Sequence, residues 1–266
     1  MTWATRRTHL ILTLSGLLGA CSDNRAGPRG TPDLDGTPDL IVEQAVLQSS
    51  VRIATETIAA GSCTSVEGGI APGTYRTVRF SVSTPNIGDA DVFIGDPRAH
   101  IDPNGDGIFD DSDGLFEFAS CHNHFHYRRY ATYELFPVNP DNSLGTPIRA
   151  RKIGFCMQDS EPFLDGIDGS EWVYRQCGSP TRAGNQGLAV GWTDIYDRSL
   201  DGQFFLLNDP GAPVPAGPYA LRVTVNPAFV REPNDPCPVT DDAGLCHVFA
   251  ESNYENNVAE IRLMIQ

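Results

Sequence analysis

Apolar and polar residues alternate at period two along much of this chain, and no stretch sustains the 3.6-residue period of a long helix. The clearest run is Tyr219, Leu221, Val223 and Val225, interleaved with Ala220, Arg222 and Thr224 and halted at Asn226-Pro227. Residues 77–82 alternate in the same way and stop at Pro85, residues 91–95 form a short apolar run closed by Pro97, and residues 133–136 and 257–265 add two more segments. Twenty prolines and 26 glycines, spread along 266 residues, punctuate these segments with turns. The pattern predicts an all-β protein: an antiparallel β-sandwich with long loops and few short helices, built as one large domain.

The first residues carry a different signal. Arg6 and Arg7 precede the apolar run of residues 10–14, too short to span a bilayer, and small residues follow up to Cys21. A basic start, an apolar centre and small residues before a cut site define an export signal. Leu18-Gly19-Ala20-Cys21 resembles the bacterial lipobox, whose cysteine becomes the lipidated N-terminus; an ordinary secretory signal with an incidental cysteine is the other reading. Residues 1–20 are therefore expected to be a lipoprotein signal peptide, and the mature chain to be exported and lipid-anchored to a bacterial membrane, facing the periplasm or the cell surface. Residues 21–36, rich in Gly, Pro, Asp and Asn, read as a flexible tether. Thr-Pro-Asp-Leu occurs at residues 31–34 and again at 37–40, and the folded domain is placed at 37–266, from the second copy onward.

The formal charge is −15, and loss of Arg6 and Arg7 with the signal makes it two units more negative. Such a field excludes nucleic acid as a natural partner and concentrates cations, amines and lysine-rich proteins included. Contact with the membrane is expected through the lipid alone, and no feature fixes an oligomeric state. With Cys21 set aside, Cys63, Cys121, Cys156, Cys177, Cys237 and Cys246 remain, an even number that predicts three disulfides in an exported protein without choosing their pairing.

Three of the six histidines fall at alternate positions, His122, His124 and His126. On an extended strand they share one face, a ready first shell for a transition metal. At about 3.3 Å per residue the outer α-carbons of such a strand lie roughly 13 Å apart, and metal–nitrogen bonds are about 2 Å. One ion can take all three only if the strand is bent or strongly twisted. Imidazole suits copper, zinc, nickel and iron alike, so the histidines do not name the metal.

Just upstream, residues 102–113 follow a calcium-loop pattern. Asp102, Asn104 and Asp106 occupy loop positions one, three and five, Gly107 the sixth, the Ile108 carbonyl the seventh, Asp110 the ninth and Asp113 the twelfth. Asp113 stands where a longer glutamate is usual. An acidic surface turn that binds nothing is the competing reading.

Several of these segments together resemble one family. Cys121-His122-Asn123-His124-Phe125-His126 followed by Tyr133-Glu134-Leu135 is similar to the copper-binding segment of the lysyl oxidases. Lys152 with Phe155-Cys156, Gln186-Gly187-Leu188, Asp194 with Tyr196, Val223 to Pro227, and Glu251-Ser252-Asn253-Tyr254-Glu255-Asn256-Asn257 resemble further motifs of that family in the same order, across about residues 37 to 265.

The resemblance implies copper on His122, His124 and His126 and a lysyl tyrosylquinone made from Lys152 and Tyr196. The implied reaction is oxidation of primary amines, with peptidyl lysine as the candidate substrate, to aldehydes with release of hydrogen peroxide and ammonia. Addition of Lys152 to an oxidised ring needs a neutral amine, hence a desolvated lysine. Asp194, two residues before Tyr196 and on the same face of a strand, is assigned as the base, with a solvated turn aspartate as the other reading. The family pattern implies Cys121 paired with Cys177, leaving Cys63 for Cys156. Residues 232–249 read as an insertion in which Cys237 and Cys246 pair locally, and Trp192 and Thr193 depart from the cysteine and tyrosine often found there. The alternative function is a non-catalytic surface lipoprotein that binds copper or zinc. A calcium-stabilised adhesion module accounts for the aspartate loop but not for the histidines.

Overall fold

A computed structural model describes residues 32–108, 111–152, 154–231 and 236–266. The expected signal peptide, most of the expected tether, and Asp110 lie outside these residues. All-β architecture is what the chain adopts: every paired strand is antiparallel, and the three helices among the described residues are seven, six and four residues long. None of them is long and apolar enough to cross a membrane.

The widest sheet has four strands in the order Val258–Ile265, Gly217–Val225, Ala131–Pro137 and Ile148–Arg149. Its alternation comes directly from the sequence. Leu221, Val223 and Val225 are fully buried, while Arg222 and Thr224 stand on the outer face, where Arg222 pairs with Glu260 at 2.7 Å across the register. A three-stranded sheet of Arg52–Ile58, Gly73–Arg79 and Phe204–Leu206 packs against it. The joint is Phe80, which meets Tyr133 edge-on at 5.1 Å and stacks on Phe205 at 5.4 Å. The alternating run at 77–82 is therefore not one strand. It breaks at Phe80-Ser81 between Gly73–Arg79 and Val82–Pro85, where Phe80 is fully buried and the Ser81 amide bonds the Ser50 hydroxyl instead of a ladder partner.

The site is built on two smaller sheets: Phe116–Ala119, His124–Arg128 and Gly154–Phe155; and Glu161–Pro162, Trp192–Tyr196 and Val82–Pro85. A buried knot ties the two ends of the domain together. Glu251 accepts hydrogen bonds from the Leu40 backbone at 2.6 Å, from Asn226 at 2.7 Å and from Asn257 at 2.8 Å. Asn226 adds bonds to the Phe249 carbonyl and from the Val248 amide. The Asn-Pro and closing Glu-Ser-x-Tyr-x-Asn-Asn segments thus serve the fold, a role visible only once residues 211 positions apart are seen in contact.

Candidate metal centre

Phe116–Ala119 and His124–Arg128 form a hairpin in which Ala119 faces His124 and Glu117 faces His126. Residues 120–123 make the turn, and Asn123 takes a left-handed φ of 55°, a conformation asparagine tolerates better than most side chains. The expectation of one bent strand bearing three histidines is corrected here. His124 and His126 ride the strand, while His122 lies in the turn and swings back over them. The rings come together at centroid separations of 5.5, 5.4 and 5.0 Å. One ligand atom from each lies within 4.8 Å of the others, so small ring rotations suffice to close a shell of bonds about 2 Å long.

The donors suit a transition metal. Burial holds His126 down to about 3 and pushes His124 down as well, with the neighbouring histidines and Lys152 adding to the effect. Both rings are therefore neutral with a lone pair free, the form that ligates. Nδ1 of His122 is buried with no aligned hydrogen-bond partner, a cost that coordination or a reoriented neighbour removes. A bonded disulfide takes Cys63 out of the second candidate group, which also contains His122 and Asp201.

Lys152 precedes Gly154–Phe155, whose pairing with the histidine strand sets Tyr127 opposite Phe155 and Arg128 opposite Gly154. Its Nζ lies 5.5 Å from the centre of the Tyr196 ring and 5.3 Å from that of Phe155. Phe155 meets Tyr196 edge-on at 5.0 Å. Tyr196 and Asp194 share the inner face of Trp192–Tyr196, and both are buried. Asp194 is thus not a solvated turn residue. A cavity of about 270 Å³ touches His122, His124, His126, Lys152, Asp194 and Tyr196 together.

Electrostatics in this cavity are set by loss of water. Burial pushes the Lys152 ammonium below its ordinary range, opposed by Glu67, Asp194 and Asp201. It raises Asp194 to about 8, with the nearby polar groups of Tyr196, the Gln158 backbone and Ser160 opposing the rise, and raises Tyr196 well above a free phenol. The Tyr196 hydroxyl donates to the Cys156 carbonyl at 2.9 Å. Oδ2 of Asp194 is left without an aligned partner.

Two expected disulfides are corrected. Cys121 bonds Cys63, and Cys156 bonds Cys177, in place of Cys121 with Cys177 and Cys63 with Cys156; Cys237 bonds Cys246 as expected. Topology explains the exchange. Cys121 lies in the hairpin turn beside the helix Cys63–Gly68. Cys156 follows a strand paired to one side of His124–Arg128, and the Gly178 carbonyl next to Cys177 accepts the Phe125 amide at 3.1 Å.

The aspartate loop curls around its first residue. Asp102 accepts the amides of Gly105, Asp106 and Gly107, and Asn104 and Asp106 accept the amides of Asp106 and Ile108. Asp113 turns elsewhere: one oxygen takes the Leu115 amide and the other lies 2.6 Å from Nδ1 of His100. The described carboxylates of the loop are not gathered into a three-ligand cluster.

Sequence reading missed Gln186 as a brace and Glu67 and Asp201 as neighbours of His122. Gln186 was visible only as a motif member; Glu67 and Asp201 carry no local signal. The lysyl oxidase family model matches residues 38–236, and with the fold and the histidine–lysine–tyrosine cavity in view, the chain belongs to the lysyl oxidase family. No curated protein sequence matches it.

Gly154 is the close approach on which His126 depends. A Cβ at that position would fall 2.6 Å from both Cβ and Nδ1 of His126. Gly154→Ala is therefore expected to displace the ring and lower metal affinity at least about tenfold. Chelator competition measures it, and an unchanged affinity would show that His126 is not needed for binding.

Proposed function

We propose that this protein is a copper-dependent amine oxidase that converts primary amines, peptidyl lysine among them, to aldehydes with release of hydrogen peroxide and ammonia. The observation that carries this reading is Nζ of Lys152 poised 5.5 Å over the Tyr196 ring, in the cavity that also presents His122, His124 and His126. Bound copper supplies the redox chemistry that oxidises the Tyr196 ring, and the lysyl tyrosylquinone formed with Lys152 supplies the electrophilic carbonyl that takes the amine.

The chain's own residues prepare that chemistry. The three histidines are held convergent, and burial keeps His124 and His126 neutral. Lys152 is kept toward the free amine by desolvation, the form able to add to an oxidised ring. Phe155 packs against both partners, and the Cys156 carbonyl anchors the phenol. Asp194 is the carboxyl group placed to act as the base toward a bound amine. Burial favours its protonated form, whereas a cation in the cavity favours the carboxylate, so an arriving ammonium group makes the base competent.

In this reading residues 1–20 direct export and Cys21 carries the lipid, a placement supported by the lipobox and by three disulfides that need an oxidising compartment. Lipid labelling of the expressed protein should disappear in Cys21→Ser; retained label would locate the lipid elsewhere.

Calcium on Asp102, Asn104, Asp106, the Ile108 carbonyl and Asp110 is a structural part of the proposal. Asp113 is its least secure ligand, because it is engaged by His100. Chelator should lower the melting temperature of the wild type but not of Asp102→Ala/Asp106→Ala. Equal melting of the wild type with and without chelator would favour a plain surface turn.

The decisive measurement is peptide mapping after aerobic copper loading. It should find the Lys152 and Tyr196 peptides covalently joined and positive in a redox-cycling quinone stain. Lys152→Ala and Tyr196→Phe should bind copper yet lose both the stain and amine-dependent peroxide release. Unmodified peptides in the loaded wild type would leave metal binding alone.

A further inference from the structure

His122 stands between two carboxylates. Oε2 of Glu67 lies 3.0 Å from its Nδ1, and Oδ2 of Asp201 lies 3.5 Å from its Nε2. The two contacts differ in kind. The Glu67 distance is that of a charge-assisted hydrogen bond, which a small rotation would align. The Asp201 distance is too long for a good hydrogen bond. It matches the spacing of two neighbouring ligands on one ion, since bonds of about 2 Å at tetrahedral or trigonal angles set their atoms about 3.3–3.5 Å apart.

Both carboxylates are placed by one short helix. Thr64 Oγ1 donates to Oδ1 of Asp201 at 2.6 Å, leaving Oδ2 for the histidine. Thr64 and Glu67 are three residues apart on Cys63–Gly68, hence neighbours on one helix face. Ser62 caps that helix, and the Cys63–Cys121 disulfide fixes it to the residue immediately before His122. Cys63 lies within ligand distance of His122 and Asp201 but is spent in the disulfide. The ligating capacity left on that side is the Asp201 carboxylate, which lines the same cavity as the three histidines but is not within ligand distance of all of them, so a turn of its exposed side chain about the His122 contact is what closes the shell.

We propose that Asp201 is a fourth, anionic ligand to the metal held by His122, His124 and His126, and that Glu67 holds Nδ1 of His122 so that Nε2 faces the ion. The inference rests on the metal-site reading above and does not require the quinone. Three neutral imidazoles bind several metals in more than one oxidation state. Adding a hard, negatively charged oxygen favours divalent copper over monovalent copper. Glu67 acts through His122, as a carboxylate partner that fixes which ring nitrogen ligates.

The test uses the full-length protein and copper alone as the probe. Wild type, Asp201→Ala, Asp201→Asn and Glu67→Gln are loaded with Cu(II), titrated with a competing chelator and examined by electron paramagnetic resonance. A parallel titration uses Cu(I). Asp201→Ala should lose at least about tenfold in Cu(II) affinity, change less toward Cu(I), and show an altered copper hyperfine splitting as a carboxylate oxygen leaves. Glu67→Gln should weaken binding while keeping the wild-type donor set. Asp201→Asn keeps an acceptor for Thr64 and carries the test if the alanine variant does not fold. Cu(II) affinity and spectrum in the Asp201 variants equal to wild type would overturn the fourth ligand while leaving the histidine site intact. A wild-type protein that shows no histidine-bound copper would overturn the metal reading itself, and the fourth ligand with it.

Discussion

One buried amide holds the centre of this molecule together. Gln186 is wholly inaccessible, yet its oxygen accepts the Met157 amide at 3.3 Å, and its nitrogen donates to the carbonyls of Phe125 and Cys177, each at 2.9 Å. Phe125 is the residue between His124 and His126. The brace therefore joins the histidine strand, the segment after Cys156 and the segment of the Cys177 bridge through one side chain. Removing it would strand three buried groups at roughly 1–3 kcal/mol each, more than most single side chains cost. The neighbouring Gly187 shows how closely the segments meet, since a Cβ there would lie 2.4 Å from the Val92 carbonyl oxygen. Two of the three histidines are thus positioned by backbone packing alone, which is the condition for a preorganised site.

Within that frame, dehydration sets the chemical character of each group. The same loss of water drives Lys152 toward a neutral amine, Asp194 toward a protonated acid and Tyr196 toward an un-ionised phenol. Charges act against the trend: Glu67, Asp194 and Asp201 all favour the ammonium form of Lys152. The cavity is thus balanced between burial and acidity, so a modest change in its contents alters which protonation states prevail. A site of this kind responds to the arrival of a cation more sharply than a solvated one would.

How far the sequence revealed this depended on the range of the interactions involved. Strands such as Gly217–Val225 were legible because burial of Leu221, Val223 and Val225 repeats at the period of the backbone itself. The pairing of Lys152 with Tyr196 was legible only through resemblance, since nothing local in either residue points to the other. His122 defied its own spacing, because alternation assumes an unbroken strand and the left-handed Asn123 ends it. The disulfide exchange has the same origin. Which cysteine meets Cys121 depends on where the helix Cys63–Gly68 docks, a tertiary fact that spacing does not encode. Glu251 and Asn226 were visible as motif letters, but their partners, the Leu40 amide among them, are dispersed over the whole chain.

The two exchanged bridges also bear on how the site comes to exist. Cys63–Cys121 closes a separation of 58 residues and Cys156–Cys177 one of 21, worth about 4 and about 3 kcal/mol in the chain-entropy account. Their positions matter as much as their magnitude. Cys121 adjoins His122, and Cys156 supplies the carbonyl that holds the Tyr196 hydroxyl. Without the first bridge, the helix carrying Thr64 and Glu67 would rest against the hairpin turn through a few polar contacts alone, because the only residue it buries is Thr64. Without the second, the segment bearing Lys152 and Phe155 would keep its two-residue ladder with His124–Arg128, the Gln186 brace at Met157 and the packing of Phe155, but lose its covalent tie to the Cys177 segment. The histidine cluster and the lysine–tyrosine pair are thus each secured by a covalent link, so the two bridges serve the geometry of the site as well as the stability of the fold.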